Sequence, residues 1–83
     1  MKKTSKSVAT RNILGSRIRQ ARLKCVPPVG QDDLAGRLAA RGISLDRSAI
    51  SRIENKKRYL MDYEAAAVAK CLKVTVAWLF GET

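Results

Sequence analysis

Pro27 and Pro28 are the only prolines in the chain, and they are adjacent, so outside one short segment no residue is barred from helical geometry. The segment Val26-Pro27-Pro28-Val29-Gly30 stops a helix, because proline disfavours the helical region in the residue before it. Elsewhere the apolar residues recur at helical intervals, with no strand-like alternation. Aromatics are scarce (Trp78, Phe80, Tyr59 and Tyr63), so the core must be built from Leu, Ile, Val and Ala, which suits close-packed short helices. At 83 residues the chain is one domain, near the lower end of what folds on a single core. Its 46% hydrophobic content is ordinary for a globular protein. The expected fold is all-α: a compact five-helix bundle over residues 12–83, preceded by a flexible basic arm over residues 1–11.

Local signals place the helices. The first should run from about Asn12, a capping residue, to Lys24, with Ile13, Leu14, Ile18, Ala21 and Leu23 on its apolar side. Arg11, Arg17, Arg19 and Lys24 are left for solvent or phosphate. The second should begin at Gln31, with Asp32 and Asp33 favourable to the dipole in its first turn. It turns Leu34, Ala35 and Leu38 inward, with Ala39 near them, and ends at Arg41-Gly42, where Gly42 supplies a left-handed cap. Gly36 in mid-helix costs about 1 kcal/mol relative to alanine. Asp46 caps the third helix, with Ile43 and Leu45 tucked against the core just before it. A fourth helix starts at Asp62, holds Ala66, Ala69 and Leu72 inward, and ends near Lys73. Thr75 caps a last short helix, whose Val76, Trp78, Leu79 and Phe80 are too apolar to lie exposed on a small monomer.

The third helix carries the chemistry. Ala49, Ile50 and Ile53 fall on one side, while Arg47, Ser48, Ser51, Arg52 and Asn55 project from the other. The outward row offers two guanidiniums, two hydroxyls and an amide, donors able to reach base edges in a major groove. Lys56-Lys57-Arg58 follows at once and suits phosphate. Two short helices, the second with a donor-rich face, form the pattern of a helix-turn-helix. Residues 1–24 carry eight cations and no acid, residues 25–58 seven cations against four acids, and residues 59–83 two cations against three acids. The net charge of +10 is therefore concentrated on the first two-thirds. That asymmetry fits a polyanion-binding face backed by a neutral surface for another protein, although a generically basic surface would give a similar balance. The arm from Met1 to Thr10 could add a grip on phosphate or a minor groove, or simply keep the chain soluble.

Other classes fit poorly. There is no histidine, no close-spaced metal-ligating cluster and no phosphate-cradling glycine loop, so neither an enzyme, a cofactor nor a metal is expected. Cys25 and Cys71 are far apart in sequence and read as two buried reduced thiols, with a disulfide as the alternative. No apolar run approaches transmembrane length and nothing resembles a signal peptide, so a cytoplasmic protein with no membrane partner is expected. No small-molecule ligand is evident.

These residues resemble the Xre/Cro-type helix-turn-helix regulators, the DNA-binding domains of phage repressors and many bacterial transcription factors. The resemblance rests on Leu14-Gly15-x-x-Ile18-Arg19-x-x-Arg22, Gln31-x-x-Leu34-Ala35-x-x-Leu38, Ile50-Ser51-Arg52-Ile53-Glu54-Asn55-x-x-Arg58 and Ala69-x-x-Leu72-x-Val74-x-x-x-Trp78-Leu79, in that order. It covers about residues 13–81. It implies a lambda repressor-like five-helix domain that binds double-stranded DNA and acts in transcription regulation, with repression the expected outcome. Arg47, Ser48, Ser51 and Arg52 stand at base-contacting positions. Gln31, Asn55, Lys56, Lys57 and Arg58 stand at phosphate-contacting ones, and Gln31 would also brace the third helix. The family pairs an arginine late in the first helix with a glutamate in the third, here Arg22 and Glu54; both sit beside apolar inward positions, where an unpaired charge would be costly. The connection through Arg41–Leu45 is longer than the family's tight turn. Lys56 replaces the usual glycine after Asn55, so one of those two must take a left-handed conformation, and asparagine tolerates it better. Gly30 replaces the usual Ser or Thr cap.

One domain of this size has a small footprint on DNA, so a homodimer on a palindromic operator is expected. Leu79 and Phe80 in the nearly neutral last third are its contact residues, while Trp78 belongs to the core. Two rivals remain in the sequence: a basic RNA-binding module, and an antitoxin-like domain using the same fold to hold a protein. RNA modules usually show aromatic platforms or a Gly-rich clamp, and the outward row has neither.

Overall fold

The computed structural model describes residues 14–82, which form five α-helices: α1 (Leu14–Lys24), α2 (Gln31–Ala40), α3 (Arg47–Glu54), α4 (Asp62–Leu72) and α5 (Val76–Leu79). No strand occurs among the described residues, so the molecule is an all-α bundle. The expected cap Asn12, the apolar Ile13 and the basic arm lie outside the described residues.

The starts of α2, α3, α4 and α5 each have a local cause. Asp46 Oδ1 accepts the Ala49 N–H at 2.8 Å to open α3, and Thr75 Oγ1 accepts the Trp78 N–H at 2.9 Å to open α5. α2 and α4 use a carboxylate in the first turn instead. Asp33 accepts from the Gly30 N–H at 3.4 Å, and Glu64 accepts from the Met61 N–H at 2.9 Å.

Four helix ends share one device. A residue with positive φ follows α2, α3, α4 and α5: Gly42 at 83°, Lys56 at 64°, Lys73 at 60° and Gly81 at 78°. The next N–H then reaches back five residues, Ile43 to Leu38 at 2.9 Å, Lys57 to Arg52 at 2.7 Å, Val74 to Ala69 at 3.0 Å and Glu82 to Ala77 at 2.9 Å. Lys56 rather than Asn55 takes the left-handed position after α3, since Asn55 stays at φ −91°. The two-bond pattern requires the twist one residue later than the asparagine. For a side chain with a Cβ this conformation costs about 1–2 kcal/mol.

Leu34, Leu38 and Leu79 are wholly shielded at the centre, with Ile18, Ile50, Ile53 and Val68 nearly so. α3 packs on both α1 and α2; α4 covers α2 and α1; α5 closes against α4 and α1. The approach of α1 to α3 is limited only by backbone. A Cβ on Gly15 would run into the Ile53 carbonyl oxygen and lie 3.2 Å from Glu54 Cα. Gly36, by contrast, faces open space.

The inward faces differ from expectation at five residues. Ala66 is exposed, and Ala65, Val68, Ala69 and Leu72 form the buried stripe of α4. Three successive alanines carry no hydrophobic contrast, so only packing chooses among them. Leu23 is half exposed and Ala39 is exposed, because each lies about a quarter-turn beyond the stripe of its helix. Val76 and Phe80 are also substantially exposed. No helix is long and apolar enough to cross a membrane among the described residues.

Candidate nucleic-acid interface

α3 is held from behind by its apolar side. Ala49, Ile50 and Ile53 are buried, and Glu54 is buried with them. Arg47, Ser48, Arg52 and Asn55 are exposed on the outward side, and Ser51 is half-buried between them. Arg47, Ser48, Ser51 and Arg52 line one shallow concavity together with Gln31 at the start of α2. The four sequence-predicted base-contacting residues are therefore adjacent, and one predicted phosphate-contacting residue joins them. The Asn55 amide donates to Ser51 Oγ at 3.4 Å. Arg47 Nε lies 3.9 Å from Asp32 Oδ1, an exposed pair of little energetic weight that leaves the guanidinium able to move.

Beneath this surface sits a buried polar knot. Arg22 Nε and Nη2 donate to the two Glu54 oxygens at 2.7 and 2.8 Å, and Arg22 Nη1 donates to the Val29 carbonyl at 2.9 Å. Gln31 Nε2 donates to Glu54 Oε1 at 3.1 Å. The forked pair ties α1 to α3, and Gln31 adds α2, so all three elements meet on one carboxylate. Hydrogen bonding to the Glu54 carboxylate raises the Arg22 pKa; burial opposes this and the Glu54 charge reinforces it. No buried side-chain nitrogen or oxygen lacks a hydrogen-bond partner among the described residues.

Of the basic loop after α3, Lys56 and Lys57 are exposed, and Arg58 is half-buried. Its Nη1 and Nη2 lie 3.3 and 3.5 Å from the Glu64 oxygens, and Nη1 also donates to the Tyr59 carbonyl at 2.9 Å. Glu64 is buried at the start of α4 and needs a counter-charge, which Arg58 provides. Sequence reasoning missed this; the signal was a glutamate in the first turn of α4 with an arginine six residues before it. Arg17 is likewise engaged away from phosphate. Its Nε and Nη2 donate to the Trp78 carbonyl at 3.0 and 2.6 Å, and its guanidinium carbon lies 3.9 Å from the Trp78 ring centroid.

The expected dimer contact Leu79 is 0% exposed and cannot touch a second molecule, because its side chain fills the core between α5, α4 and α1. Phe80 is 45% exposed and Val76 43%. Both thiols are free: Cys71 is buried, and Cys25 is only half-buried, its Sγ donating to the Ala21 carbonyl at 3.3 Å. No cluster of His, Cys, Asp or Glu able to hold a metal exists among the described residues. In comparisons with known proteins, no family model, no curated protein and no solved structure matches this chain.

Proposed function

We propose that this protein binds double-stranded DNA in a sequence-specific manner, with α3 in the major groove, and acts as a transcriptional regulator of the repressor type. The observation that carries the reading is the outward row of Arg47, Ser48, Ser51 and Arg52 on a helix whose base is clamped by Arg22, Glu54 and Gln31. A rigid helix presenting forked and short donors suits base edges, because a positioned guanidinium meets guanine through two hydrogen bonds. Lys56 and Lys57 at the end of α3 and Gln31 at the start of α2 flank that row, where phosphates of the same groove would lie. A homodimer on a palindromic site completes the proposal, with Phe80 and Val76 of the nearly neutral last third at the two-fold contact and recognition helices about 34–36 Å apart.

Selection from random duplex DNA should yield a site with two half-sites about one helical turn apart. Arg52→Ala should weaken the selected site by roughly 1–3 kcal/mol and random duplex little. Lys57→Ala should weaken all sequences alike and lower the salt slope by about one. Equal loss on selected and random DNA for Arg52→Ala overturns the assignment of α3, and tighter binding of matched RNA overturns the DNA reading.

A further inference from the structure

We infer that the cleft between the α1–α2 connection and the ends of α4 and α5 is a binding site for a small apolar organic anion of the medium-chain monocarboxylate class. The cleft encloses about 430 Å³, within the range of small-molecule sites. Ala21, Val29 and Leu72 form its buried floor, and the half-buried Trp78 contributes to the wall. Val26, on the connection that lines it, is 97% exposed, so an apolar side chain and two prolines stand uncovered at the edge. Such a surface rewards an apolar guest and gives a hydrated inorganic ion nothing in return for its lost water.

Charge selects the guest further. Lys24, Arg37 and Lys73 line the cleft against the single carboxylate of Asp33. Arg37 Nη1 donates to the Cys71 carbonyl at 3.2 Å, which anchors the guanidinium at the cleft while the rest of its fork keeps donors for a carboxylate. Lys24 Nζ lies 5.5 Å from the Trp78 ring centroid, so its charge sits at the same opening. No α3 residue lines the cleft, so the site is separate from the proposed DNA surface and its test does not depend on DNA binding.

Trp78 is the only tryptophan, so its fluorescence reports the cleft directly. Titration of the protein with octanoate should give a saturable change, and octanamide, its neutral counterpart, should bind about tenfold more weakly. Arg37→Gln should lower octanoate affinity about tenfold with little effect on octanamide. Val26→Asp, at an exposed position that leaves the core intact, should do the same by placing negative charge at the edge, and keeps the test open if Arg37→Gln unfolds. Alkylation of the half-buried Cys25 by iodoacetamide should slow in saturating octanoate. Equal affinity for octanoate and octanamide, no saturable response, or a Val26→Asp protein that binds octanoate like the parent overturns the inference.

Discussion

Removing the Glu54 carboxylate perturbs the one point where α1, α2 and α3 share a charge. In Glu54→Ala, Arg22 loses the bonds of 2.7 and 2.8 Å from Nε and Nη2, and Gln31 loses its bond of 3.1 Å. Only the 2.9 Å bond from Nη1 to the Val29 carbonyl remains on a side chain that is 8% exposed. A buried guanidinium with one carbonyl in place of a carboxylate retains most of its desolvation cost, so breaking the pair should cost on the order of 3 kcal/mol. In a domain of this size that corresponds to a fall in Tm of roughly 12–24 °C. The double variant Arg22→Met, Glu54→Leu removes both charges and should recover most of the loss, because the pair's attraction and its desolvation nearly cancel. The Arg22 pKa is raised, so the stability that shift contributes is present below the ordinary arginine range and is lost as pH rises through the raised value. Thermal unfolding by circular dichroism measures all three proteins. A Glu54→Ala protein melting within about 3 °C of the parent, or a double variant no better than the single one, would refute the argument.

The two glycines that sit within helices should respond in opposite senses. Gly15→Ala should destabilise by about 1–3 kcal/mol or more, since its Cβ meets the Ile53 carbonyl and the Glu54 backbone, which yield only if α1 moves away from α3; urea unfolding with an unchanged slope and a lower midpoint is the expected record. Gly36→Ala should stabilise by about 1 kcal/mol, because nothing lies within 4 Å of the new Cβ and only helix propensity changes. A Gly36→Ala midpoint at or below that of the parent would contradict the open environment on its side of α2.

Local chemistry made much of the bundle legible. Asp46 and Thr75 cap their helices with their own side chains, and Gly42 takes the left-handed turn, since each effect acts within a few residues. The apolar side of α3 was readable for the same reason: Ala49, Ile50 and Ile53 contrast with the polar residues between them. The buried ion pair is further from local reasoning, because it joins Arg22 and Glu54 across 32 positions. What a pattern could not decide was which cations find partners within the fold. Arg58 and Arg17 look like Lys56 and Lys57 in sequence, yet one is held by Glu64 and the other by the Trp78 carbonyl and ring. Nor could it choose Ala65 over Ala66, or send Leu79 inward while leaving Phe80 outside. Those outcomes depend on how α4 and α5 rotate against α1 and α2. The rotation is set by packing among residues far apart in the chain, so periodicity identifies the helices but tertiary contact assigns their faces.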